Sequence, residues 1–162
     1  MKKILFAVVG ILLLTGAGCG NYVAEKAVEK MSGDKVDVSN DGESVKIKTE
    51  EGTLQMGGKQ ELPEGWSSDA PYYPGATIQF SGSTNSAEGK PTTTVVSETK
   101  DSSQKVLDFY KKEFEDKGWT IESNYQSAEM SILVVKKDNR VLSLTIIVNK
   151  ESTSITSVLE NK

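Results

Sequence analysis

From Ala76 to Leu159 apolar and polar side chains alternate in short runs, interrupted by one stretch with a helical period. Ala76 to Ser81 and Thr92 to Thr99 predict two strands joined by the polar loop Gly82 to Pro91. Asp101-Ser102-Ser103-Gln104 predicts a helix start of the capping-box type, with the Asp101 carboxylate accepting backbone N–H groups and Gln104 reaching back. Val106, Leu107, Tyr110 and Phe114 then fall on one stripe, with Phe109 at its margin, and Gly118 closes the helix. Trp119 to Asn124, Ser131 to Lys136, Val141 to Asn149 and Ser154 to Leu159 alternate as four more strands, with a tight turn at Asp138-Asn139. Leu142, Leu144, Ile146 and Val148 mark the buried face of the longest.

Upstream the runs are shorter. Lys35 to Ser39, Ser44 to Thr49 and Thr53 to Met56 predict a three-stranded meander, turned at Asn40-Asp41-Gly42 and Glu50-Glu51-Gly52. Each of these strands offers only two apolar side chains, so the meander needs another element to lean on. Asn21 to Met31 has helical spacing at Val23, Ala24, Ala27, Val28 and Met31, and predicts a short helix, either a spacer beside the membrane or a cap packed on the domain. Between the meander and Ala76, Pro63, Pro71 and Pro74 mark an extended connection. The fold class expected is α+β: an antiparallel sheet of about five to six strands with one long helix packed across it, preceded by a short helix and a small β-meander. The corresponding segments are 1–18 (leader), 19–33 (anchor and short helix), 34–58 (meander), 59–75 (connection) and 76–162 (the α+β domain).

The first 18 residues have another character. Lys2 and Lys3 precede the apolar run Ile4 to Leu14, which is too short for a membrane span of roughly 20 residues, and Gly16, Ala17 and Gly18 lead into Cys19, the sole cysteine. This is the pattern of a lipoprotein leader. Cys19 is expected to carry a covalent diacylglycerol and to start the mature chain at the extracytoplasmic face of a cell membrane, or at the outer membrane in a cell that has two. Gly16 stands where such leaders usually carry leucine. The alternative is an ordinary secretory leader cut near Ala17, which leaves a free thiol.

Loss of Lys2 and Lys3 takes the 19 basic residues to 17 against 23 acidic ones, a balance of −6. An acidic surface disfavours nucleic acid as a partner and leaves the acyl chains as the anchor.

The segment Trp66 to Ala76, with Pro71-Tyr72-Tyr73-Pro74-Gly75-Ala76, then Phe109-Tyr110 and Gly118-Trp119, resembles a module of uncharacterised bacterial membrane lipoproteins. The resemblance covers about Leu62 to Thr120 plus the leader. It implies a fold and an address, and no activity.

Common catalytic chemistry has few candidates. The chain has no histidine, and lipidation consumes its cysteine, so Ser-His-Asp and Cys-His catalysis and His- or Cys-rich zinc sites are excluded. Asp37, Ser39, Asp41 and Gly42 match the opening of an EF-hand loop, but Lys48 stands at the twelfth position, where a bidentate glutamate is needed. Lys136, Lys137 and Arg140 form a small basic spot, read as solubilising. No metal and no cofactor beyond the lipid is expected, and no enzymatic activity. The expected function is a lipid-anchored envelope module that docks another envelope protein. The alternative is a binder of a small apolar or glycan ligand. The candidate ligand or partner surface comprises Trp66, Tyr72, Tyr73, Tyr110, Phe114 and Trp119.

Overall fold

The computed structural model describes residues 37–40, 44–49, 52–57, 60–63, 65–85 and 90–161. The leader, Cys19, the 21–31 helix and the tip of the 82–91 loop lie outside the described residues. Among the described residues nine strands, β1 (Asp37–Asn40), β2 (Ser44–Thr49), β3 (Gly52–Gly57), β4 (Thr77–Asn85), β5 (Pro91–Thr99), β6 (Thr120–Gln126), β7 (Met130–Lys137), β8 (Arg140–Val148) and β9 (Thr153–Asn161), form one sheet. The order is β1-β2-β3-β4-β5-β9-β8-β7-β6, with every neighbouring pair antiparallel. One helix among the described residues, α1 (Ser103–Asp116), carries the chain from β5 to the far edge at β6.

This corrects the expected fold class. The sheet has nine strands instead of five to six, and the meander is its continuation: β3 pairs with β4 from Gly52↔Thr84 to Met56↔Phe80. The physical reason is the one that made the meander weak alone. Its strands bury too little themselves and gain a ladder by extending the larger sheet. The helix is also shorter than expected, 14 residues, and contacts β6, β7 and β8 without crossing the whole sheet.

Backbone geometry enforces the junction. A Cβ on Gly52 would run into the Ser83 carbonyl oxygen, a backbone atom that cannot swing away, so no side chain fits where β3 meets β4. At Gly82 the added atom would lie 2.8 Å from Leu54 Cδ2 and 3.1 Å from the Thr53 carbonyl oxygen.

The helix cap differs in detail from the expectation. Ser102 is the N-cap and accepts from the Lys105 N–H, while the Gln104 amide donates to Asp108. The Asp101 carboxylate instead takes the Tyr73 hydroxyl at 2.7 Å and the Lys105 ammonium at 2.9 Å. Gly118, at φ 73°, reverses the chain, and the Trp119 N–H donates to the Phe114 carbonyl at 2.8 Å. The buried helix face is Val106, Leu107, Tyr110 and Phe114, packed on Leu133, Val135, Leu142, Leu144, Ile146, Ile155 and Leu159. Val148, expected on that face, is 43 % exposed because β8 runs past the core there. Among the described residues no helix is long and apolar enough to cross a membrane.

Candidate functional site

The space between helix and sheet is occupied by the protein's own side chains. Tyr73, Tyr110, Phe114 and Trp119 are all buried, and their rings form a chain, with centroids 6.4 Å apart from Tyr73 to Tyr110, 5.8 Å from Tyr110 to Phe114 and 6.2 Å from Phe114 to Trp119. Trp66 packs against this cluster and donates its indole N–H to the Ala70 carbonyl. Tyr72 is half-buried, its hydroxyl donating to the Ala76 carbonyl at 2.7 Å. The structure thus brings four of the six candidate aromatics together as core and Trp66 to its margin, and leaves Tyr72 half-buried on the connection. Burial first, and then the Asp101 carboxylate, push the Tyr73 phenol up to about 12. Burial also raises the Tyr110 phenol.

The basic spot has a partner that its sequence neighbours do not reveal. Asp69, in the connection before β4, accepts from Arg140 Nη1 at 2.6 Å and Nη2 at 2.9 Å, from Lys137 Nζ at 2.7 Å and from the Ser67 hydroxyl at 2.6 Å. Its backbone carbonyl takes the Trp119 indole N–H at 3.0 Å. The Arg140 guanidinium lies over the Trp119 ring, 5.1 Å from its centroid. The clasp ties the connection to the β7–β8 hairpin and the helix end, and the Arg140 hydrogen bonds hold the Asp69 carboxyl well below the usual carboxylate range.

The sheet face itself changes character from one side to the other. Directly opposed residues of an antiparallel ladder share a face, so the registers trace two rows across the sheet. One runs Leu133, Leu144, Ser157, Val95, Ser81, Gln55, Lys46, Ser39; the other runs Val135, Leu142, Leu159, Thr93, Ser83, Thr53, Lys48, Asp37. Both begin under the helix and end outside its reach. On the β2–β4 half, the helix-side face holds a groove of about 500 Å³. Its floor carries Lys46, Lys48, Thr53, Gln55, Ser81 and Ser83, and Glu61, Leu62 and Pro63 form its wall.

Gln60 fixes that wall: its amide donates to the Gln79 carbonyl at 3.3 Å and its oxygen accepts from the Ser81 hydroxyl at 3.2 Å. Sequence reading missed this groove because it followed the apolar positions Val45, Ile47, Leu54 and Met56; the alternate set, Lys46, Lys48, Thr53 and Gln55, was the available signal.

A second groove of about 640 Å³ lies beside Pro74, Thr77, Glu98, Asp101, Glu151 and Ser152. Several of its polar groups already serve the fold: Ser152 donates to Glu98, and Asp101 takes Tyr73 and Lys105. Among the described residues no group of three or more acidic, histidine or cysteine side chains is placed to hold a metal ion.

No curated protein and no solved structure gives a significant match to the chain. A family model described as START domain-like matches residues 79–154, from within β4, through the helix, to the first residues of β9, just under half of the chain. Over those residues the chain is similar to a START domain-like family, and the match names no lipoprotein family.

Proposed function

We propose that the protein is a non-catalytic binding domain, anchored to the cell envelope through lipid on Cys19, that takes a small polar ligand of the glycan type on the β2–β4 groove. The observation that carries this reading is the pair of register rows. They present hydroxyl, amide and ammonium groups together on the face that the helix leaves open. Sugar hydroxyls donate and accept, and the Thr53 hydroxyl and the Gln55 amide on the groove floor offer both functions side by side. The START domain-like similarity supports ligand binding as the class of function. An apolar ligand between helix and sheet is disfavoured, since Tyr110 and Phe114 are 1 % and 0 % exposed there.

Isothermal titration with cell-wall oligosaccharides tests the reading. The double variant Thr53→Ala, Gln55→Ala should bind at least about fivefold more weakly, the loss of one to two net hydrogen bonds, while Tyr125→Ala binds as wild type. Docking of another envelope protein is the second reading, favoured by the edge strand β6, which is exposed along its whole length and carries Tyr125 at 55 % exposure. If Tyr125→Ala abolished binding and the groove variant did not, that second reading would replace the first.

The anchor is tested separately. Mass spectrometry of the mature N-terminus should find diacylglycerol on Cys19, and a free thiol there would refute the anchor.

A further inference from the structure

On the sheet face turned away from the helix, register carries one row from Ile47 through Leu54 and Gly82 to Val158 and Val134. The next row runs from Met56 through Phe80 and Val96 to Ile132. The described elements that pack on the sheet lie on the other side: α1 on β6, β7 and β8, and the 60–75 connection where Gln60 meets Ser81 and Gly65 faces Thr93. Val134, Val158 and Leu54, each flanked by two paired strands, are accordingly half-buried. Ile47 belongs to the same row and is flanked in the same way by β1 and β3, yet it is only 3 % exposed. Paired neighbours leave the other side chains of this row half-open, so Ile47 needs a cover that the described elements do not supply.

A segment of suitable pattern lies within reach. Asn21 to Met31, outside the described residues, has Val23, Ala24, Ala27, Val28 and Met31 on one helical side, with its two glutamates and two lysines on the other. Five residues separate Met31 from Asp37, where β1 starts. Six Cα steps reach about 21 Å at most, and neighbouring strands lie about 4.8 Å apart, so Met31 cannot pass beyond β5 in the sheet order. A helix over these residues is about 16 Å long, close to the roughly 14 Å from β1 to β4. Small side chains at Ala24 and Ala27 permit close contact with a sheet. Balanced charge and an apolar side without aromatic rings give the segment little attraction to an anionic lipid surface.

We infer that residues 21–31 form a helix docked across the β2–β4 part of this face, with Ile47 beneath it and Leu54, Met56 and Phe80 alongside. The meander thus gains the second layer that its own few apolar side chains require. A lipid on Cys19, two positions before Asn21, then holds the sheet close to the membrane, and the groove on the opposite face stays open.

The test uses the lipidated mature chain in lipid nanodiscs, with a nitroxide attached at Lys26→Cys on the polar side of the segment. NMR signals of Ile47, Leu54 and Phe80 should broaden, while those of Tyr125 and Ile132 on the distant strands β6 and β7 stay sharp. Val28→Asp, which sets a charge on the apolar side, should speed amide hydrogen exchange at Ile47 and Leu54 by at least about tenfold. Exchange at Leu133 and Leu144 should not change, which establishes that the rest of the domain is folded. Sharp Ile47 and Leu54 signals in the nitroxide-bearing chain, or unchanged exchange in Val28→Asp, would overturn the inference. Broadening that arises only between separate chains, one carrying the nitroxide and the other the isotope, would also overturn it by placing a second copy on this face.

Discussion

Phe114→Ala should leave the domain largely unfolded at room temperature or melting far below wild type. Phe114 is completely buried, at the point where the helix meets both the sheet and the Gly118 turn. Its ring lies between those of Tyr110 and Trp119. Truncating such a side chain removes its transfer energy and leaves a cavity, together about 3–5 kcal/mol. Domains of this size are held by only about 5–15 kcal/mol in all. The aromatic chain gives the cavity little means of closing, since Tyr110 and Tyr73 are already tied to helix and connection. Urea unfolding followed by tryptophan fluorescence checks the loss, and Phe114→Leu, which keeps most of the volume, should recover more than half of it. A variant within about 1 kcal/mol of wild type would mean that the helix–sheet layer is not the tightly packed core described above.

The second large effect is an acid-dependent loss centred on Asp69. Its carboxylate accepts two hydrogen bonds from Arg140 and others from Lys137 and Ser67, and its value is depressed first by the Arg140 contacts. In the unfolded chain the same carboxyl returns to about 3.9. A folded value lower than the unfolded one adds stability that is complete above the unfolded value and disappears as pH falls through the folded one.

The loss should therefore begin below about pH 5 and deepen past pH 3. With the side chain 28 % exposed, water screens part of the interaction, and about 2 kcal/mol is a reasonable size. Asp69→Asn keeps the shape and removes the charge. It should cost about that amount at neutral pH and clearly less at about pH 2.5, where the unfolded chain's carboxyl is already protonated. Equal costs at both values would show that the carboxylate's charge plays no part.

Local pattern carried the reading of elements a long way. The alternation at Leu142, Leu144 and Ile146, the stripe Val106, Leu107, Tyr110 and Phe114, and the turn at Asp138 all mark features that the structure contains, because each is decided by residues a few positions apart. Assembly is decided elsewhere. That β3 continues the sheet through β4 depends on Gly52 and Gly82 meeting backbone and Leu54 atoms from other strands, and no periodicity records such an encounter.

The Asp69 clasp spans 68 to 71 residues along the chain, so Lys137 and Arg140 looked like idle surface charge. The candidate aromatics drew attention because large rings can make binding surfaces, yet here most of them fill the core. Conversely, the groove arises from the polar side of strands whose apolar side carries the periodic signal. Lys46 and Lys48 acquire neighbours only when the register sets Gln55 and Ser39 beside the first and Thr53 and Asp37 beside the second.

The central claim is that ligand binds on the open β2–β4 half of the helix-side face, with the helix-covered half packed shut. Amide chemical-shift mapping during titration with the oligomer that binds tests it most directly. The account predicts saturable shifts at Lys46, Lys48, Thr53, Gln55, Ser81 and Ser83, with Tyr110, Phe114 and Trp119 unmoved. Shifts concentrated on those three aromatics and their helix, with the β2–β4 residues silent, would contradict it.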